Sequence, residues 1–129
     1  SNISFNTRAA FALIPYLETI IDSLDVNNPN ISFILTTLNQ IFRHQESFDY
    51  IGEPSLFIKI FKKLESLIDT PFEEYSFELM NEISVLERGK EMLLNYGILN
   101  LFNEQQDKLP KESPIQAIID EIISRIISN

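Results

Sequence analysis

The chain has 129 residues, enough for one domain with a real core, and its 44% apolar content belongs to a globular protein rather than a disordered one. Nineteen acids against ten bases leave a net charge of −9, which repels a phosphate backbone and argues against nucleic acid as a partner. With no cysteine, disulfides, thiolate nucleophiles and thiolate metal sites are excluded together, and 3 glycines are too few for a turn-rich sandwich or barrel.

No run of about 18 apolar residues occurs, so no membrane span is expected. The start Ser1-Asn2, without an initiator Met, reads as a cloning remnant on an excised domain with flanking sequence missing. The lack of cysteine fits a reducing compartment, and a cytoplasmic or nuclear location is the expectation.

In chain order, the first helix is expected over about 4–25, bent or broken near Pro15. Asn28-Pro29 opens a second over about 30–45, followed by a short piece near 46–51 and, after Glu53-Pro54, a helix to about 69. In that helix Leu56, Ile60, Leu64 and Leu67 mark the buried side, with Lys59, Lys62, Lys63 and Ser66 over the remainder.

Thr70-Pro71-Phe72-Glu73 carries an N-cap hydroxyl, a Pro at the first helical position and a Glu three residues after the cap. It opens a helix over about 71–88, in which Phe72, Leu79, Ile83 and Leu86 form one stripe with Tyr75 beside it. Glu74, Glu78 and Glu82 line the opposite side. Short helices near 89–96 and 98–105 follow, and Ser113-Pro114-Ile115-Gln116 repeats the capping box ahead of a last helix over about 114–128.

The most informative feature is a self-match. Phe48-Asp49-Tyr50-Ile51-Gly52, followed by Leu56-Phe57, overlies Leu93-Leu94-Asn95-Tyr96-Gly97, followed by Leu101-Phe102, at a shift of 45 positions. After each Gly comes a helix, a hydroxyl-Pro cap and a long helix; an earlier copy begins near Leu13 and passes through Asn28-Pro29. A period of about 40–47 residues belongs to helical solenoids, in which each unit leaves an apolar face for its neighbour to cover.

The junction at residues 93–102 and the string Ala12-Leu13-Ile14-Pro15-Tyr16-Leu17 resemble the armadillo repeat family, where a short helix ends in Gly and a second opens on an apolar pair. The resemblance implies an all-α, armadillo-like right-handed superhelix of about two and a half to three repeats. It would be a single domain over 1–129, with units of about 4–51, 52–96 and 97–129. The drift of the repeat around residues 88–102 also resembles the non-ATPase-five type of proteasome base-assembly chaperone, which would imply binding to a regulatory ATPase subunit.

The resemblance places the Trp and Asn positions of nuclear-import receptors near Thr36 and Gln40 in one unit and near Met80 and Ser84 in the next. Neither unit keeps the pair. Function is expected to be non-enzymatic protein binding, as a scaffold or adaptor, with a partner of basic character steered by Glu74, Glu78, Glu82, Asp120 and Glu121. Among the phenylalanines, Phe33, Phe42, Phe48, Phe57 and Phe61 are expected mostly in the core, while Phe77 lies off the main stripe and is the candidate exposed anchor.

The single His44, near Ser47 and Asp49, reads as a helix-end residue rather than a catalytic base. No metal-ligand spacing and no Gly-rich phosphate loop is present, so no cofactor is expected. The last helix carries Ile115, Ile118, Ile119, Ile122, Ile123, Ile126 and Ile127 over more than one face. That spread raises an alternative: an oligomerisation segment, or part of a longer solenoid, that self-associates through this helix.

Overall fold

The computed structural model describes residues 8–9, 12–51 and 54–128. Among them are eight α-helices and no strand: α1 Leu17–Asp22, α2 Ile31–Ile41, α3 Gln45–Ile51, α4 Pro54–Ser66, α5 Glu73–Ser84, α6 Glu87–Tyr96, α7 Ile98–Lys108 and α8 Pro114–Ile127. The elements expected from residue 30 onward are present within a few residues; of the first, expected over about 4–25, the stretch 1–7 and residues 10–11 lie outside the described residues. Gly52, which anchored one half of the self-match, and Glu53 lie outside the described residues.

Local chemistry explains the boundaries. Pro15 sits within a 3₁₀ turn, Ile14–Tyr16, that leads into α1, which is the expected break. The Ser113 hydroxyl accepts the Ile115 N–H at 3.2 Å and caps α8. Gln116 does not return to that cap: its Nε2 donates to the carbonyls of Gln106 at 2.9 Å and Leu109 at 3.2 Å, tying α8 to the end of α7. At the other box Thr70 Oγ1 accepts from Phe72 N at 3.1 Å, while Glu73 Oε1 accepts from Asp69 N at 3.3 Å, one residue earlier than the standard arrangement. Asp69 takes a left-handed conformation (φ 67°), a turn that brings its N–H to Glu73.

Two glycines are demanded by their positions. Gly97 has φ 87°, a left-handed conformation, and both ends α6 and opens α7, the helix–Gly–helix junction expected from the sequence. Gly89 lies where α6 crosses the end of α5, and a Cβ there would stand 1.8 Å from the Ile83 carbonyl oxygen.

The core is one cluster running the length of the described chain. Helices α2, α5 and α8 pack in series with α5 in the middle, and α1 packs on α4. Helix α4 joins α5 and α6, and α7 closes against α6 and α8. A chain of rings fills the first half: Phe48 lies 5.3 Å from Phe42 and stacks on Phe57 at 5.3 Å, and Phe61 leads on to Tyr96 at 5.3 Å. Each fully buried Phe or Leu stabilises by about 1.5–3 kcal/mol, so this cluster carries most of the fold's apolar driving force. The positions matched at a shift of 45 share their environment: Phe48 and Leu93 are fully buried, as are Phe57 and Phe102, and Leu56 and Leu101 are half-buried.

The central place of α5 overturns one expectation. Phe77, the candidate exposed anchor, is 0% exposed, with its ring centroid 6.1 Å from that of Phe102. A helix covered on one side only hides a narrow stripe. Covered by α2 on one side and α8 on the other, α5 buries Ser76, Phe77, Leu79, Met80, Ile83 and Ser84, an arc of about 160° at 100° per residue. Phe77 falls inside that wider arc. The reverse holds for Phe33, expected mostly in the core: it is 74% exposed on α2.

The Ile-rich helix is less open than its composition suggests. Ile115, Ile119, Ile122 and Ile126 are core residues, Ile118 and Ile123 pack half-buried against them, and Ile127 alone of the seven is strongly exposed, at 69%. No helix among the described residues is long and apolar enough to cross a membrane.

Candidate functional site

The buried positions of α2 are Ile31, Leu35, Leu38 and Ile41, which turn one face inward and leave Ser32, Phe33 and Thr36 outside. Helix α5 leaves Glu74, Tyr75 and Glu78 outside, with Glu82 half-buried. Where these two open faces meet, three clefts lie in sequence. The first, about 210 Å³, is lined by Ala9, Leu13, Phe33, Thr36, Thr37 and Gln40. The second, also about 210 Å³, shares Thr36 and Gln40 with the first and adds Asn39, Arg43, Tyr75 and Glu78. The third, about 400 Å³, shares Tyr75 and Glu78 with the second and adds Pro71 and Glu74. Shared walls make them one groove crossing from α2 to α5.

Aromatic surface is open at both ends, with Phe33 74% and Tyr75 45% exposed. Charge is uneven along the groove. Arg43 Nε stands 3.6 Å from Glu82 Oε1, which draws that glutamate into a pair bridging α2 and α5. Glu74 and Glu78 remain on exposed backbone positions at the α5 end. Thr36 Oγ1 donates to the Ser32 carbonyl at 2.9 Å, so its hydroxyl proton is committed to its own helix.

The structure thus brings together Thr36, Gln40, Glu74 and Glu78, and attaches Glu82 through Arg43. It separates the other proposed residues. Phe77 is in the core. Asp120 Oδ1 accepts from Gln106 Nε2 at 2.8 Å, facing α7 rather than the groove. Glu121 accepts from Asn81 Nδ2 at 3.0 Å and lies 3.5 Å from Arg125, so it ties α8 to α5 instead of adding free charge.

The equivalence drawn from the nuclear-import resemblance also needs correction. Met80 and Ser84 are both fully buried, whereas Thr36 and Gln40 line the groove. Aligning the turn prolines Pro29 and Pro71, 42 positions apart, lays buried Leu35, Leu38 and Ile41 on buried Phe77, Met80 and Ile83. In that register Thr36 and Gln40 correspond to Glu78 and Glu82. The step from Pro71 to Pro114, of 43 positions, then leads to Glu121 and Arg125. The open faces of α2, α5 and α8 therefore carry matched pairs at spacing four.

Sequence reasoning missed Phe33, Asn39, Arg43 and Tyr75 as groove residues. Phe33 had a signal: it sits two residues after Ile31, roughly opposite the stripe set by Ile31, Leu35 and Leu38. Arg43 lies past the end of α2 and had none.

Elsewhere, a concavity of about 530 Å³ is lined by Ile14, Leu17, Ile51 and Leu56 together with Lys59 and Glu18. Lys59 Nζ is already held by Asp22 at 2.8 Å and Glu18 at 3.1 Å, and these hydrogen bonds, Asp22 first, raise its pKa. That ammonium links α1 to α4 and is not a free anion site. The Ser47 hydroxyl is fully enclosed and makes no hydrogen bond to the described residues, so it is not paired with His44. No group of three or more metal-capable side chains is found among the described residues. No family model, no curated protein and no solved structure matches the chain.

Proposed function

We propose that the chain is a non-enzymatic, armadillo-like helical segment that holds a partner protein in the groove between α2 and α5. The observation that carries this is the run of three clefts with shared walls, open at one end to Phe33 and at the other to Tyr75, Glu74 and Glu78. A preformed concavity with exposed aromatic rings at its ends suits recognition of a protein segment, because rings supply large contact area at small entropic cost.

The armadillo-like arrangement is supported by the serial packing of α2, α5 and α8, the packing of α1 on α4, and the repeated burial register at steps of 42 and 43. Acidic residues at one end of the groove, in a chain of net charge −9, favour a partner with positive charge and speed its encounter. The buried state of most isoleucines in α8 gives self-association through that helix little apolar surface to use.

Affinity capture from a cell lysate, read by mass spectrometry, tests this reading with three baits: the unaltered chain, Glu74→Lys with Glu78→Lys, and Asp107→Lys on the exposed side of α7 as control. Proteins retained by the first and third baits and lost by the second are the expected result. The same set on all three baits would remove the groove as the binding surface.

A further inference from the structure

We propose that the groove takes an extended segment of its partner bearing an apolar side chain and, about three residues along, a lysine or arginine; the apolar residue seats on Phe33 and the cation beside Glu74 and Glu78. This ligand class presupposes the protein-binding role above and specifies its chemistry and order. The two ends of the groove differ in kind. Ala9, Leu13 and Phe33 make the α2 end apolar. At the α5 end Glu74, Glu78 and Tyr75 line one cleft, a setting that attracts a cation by charge and offers it an aromatic neighbour. Glu82 is compensated by Arg43, so the open negative charge of the groove is concentrated at Glu74 and Glu78.

The middle of the groove favours an extended backbone over a helix. The carboxamides of Asn39 and Gln40 line it and make no hydrogen bond to the described residues. An extended segment arrives with unpaired N–H and C=O groups that such amides can meet, whereas a helix has paired its own. The spacing follows from geometry. Packed helix axes lie about 8–10 Å apart and an extended chain advances about 3.3 Å per residue, which places the two anchors about three residues apart.

Panning a phage-displayed library of random peptides on the chain tests this directly. The expected enrichment is of sequences with an aliphatic or aromatic residue and a Lys or Arg at that spacing, in one order. A synthetic enriched peptide should then bind about tenfold more weakly to Phe33→Ala and to Glu78→Gln, with Tyr75→Ala and Glu74→Gln as a second pair. All four positions are on the surface, and thermal unfolding verifies that each variant folds. Cationic peptides with no apolar companion, still sensitive to Glu78→Gln, would overturn the two-ended ligand while leaving the groove as the binding surface. Enriched peptides indifferent to all four variants would overturn the groove as well. Failure to enrich any sequence would overturn the extended-segment ligand, while the lysate capture judges the groove independently.

Discussion

Arg125 on α8 reaches across to α5 and holds Asn81: its Nη1 lies 3.3 Å from the Asn81 carbonyl oxygen, bonds the Asn81 carboxamide oxygen, and lies 3.1 Å from Ser84 Oγ. Asn81 answers by donating to Glu121, the residue one turn before Arg125. The two helices are thereby fixed in register as well as packed. Arg125→Met keeps much of the stem's contact but removes the donors, and should cost about 1–2 kcal/mol in urea unfolding, since these are charge-assisted bonds on a partly exposed side chain. Arg125→Lys should recover only part of that loss, because one ammonium cannot reproduce the planar fork. An unchanged midpoint in both would mean that apolar packing alone sets the α5–α8 joint.

Phe77 and Phe33 both lie opposite to the places expected from the sequence, Phe77 in the core and Phe33 on the surface. Phe77→Ala should destabilise by about 3–5 kcal/mol, because it empties a closed site beside Phe102. Phe33→Ala should change stability by no more than about 0.5 kcal/mol, since the ring has little to lose on a largely exposed surface. Urea midpoints of the two variants make the comparison, and equal losses would contradict the burial found here.

How far the fold was legible follows from the reach of each signal. Thr70-Pro71 and Ser113-Pro114 act within one helical turn, so helix starts could be read locally, and Gly97 marked the end of one short helix and the start of the next. The width of a buried arc depends on how many neighbours a helix has. That is why α4, read as one stripe, matched at Ile60 and Leu64, while on centrally placed α5 the stripe matched at Leu79 and Ile83 but left out buried Phe77 and Met80. The groove was half legible. Glu74 and Glu78 announced an open face by their spacing, but their meeting with Thr36 and Gln40 is decided by how α2 settles on α5. The roles of Asp120 and Glu121 depend on Gln106 and Asn81, residues of other helices, and no local pattern carries that information.

The two glycines should respond to alanine for different reasons. At Gly89 the added methyl would collide with the Ile83 backbone carbonyl, which cannot rotate away, so α6 must shift off the end of α5. A loss of about 1–3 kcal/mol is expected. At Gly97 the space is open and only the left-handed backbone penalises a side chain, costing about 1–2 kcal/mol. Gly97→Asn separates the cases, because Asn tolerates that conformation and should recover much of the loss, whereas Gly89→Asn should be at least as damaging as alanine. Circular dichroism melts of the four variants would read the pattern; equal tolerance of Asn at both sites would refute the collision.

Tyr96 gives the fold a dependence on alkaline pH. Burial, and then the hydrogen bond its hydroxyl donates to Glu65 Oε1 at 2.6 Å, raise its pKa above the ordinary value of 10.0. The folded chain therefore keeps this proton at pH values where the unfolded chain has lost it. The resulting stabilisation is fully present below about pH 10 and declines as pH rises past that point toward the folded value. Tyr96→Phe retains the ring against Phe61 and has no proton to lose. Its urea midpoint should fall less steeply than that of the unaltered chain between about pH 9.5 and 11.5, while other titrating groups act on both alike. Parallel curves over that range would show that the Tyr96–Glu65 bond does not persist in solution.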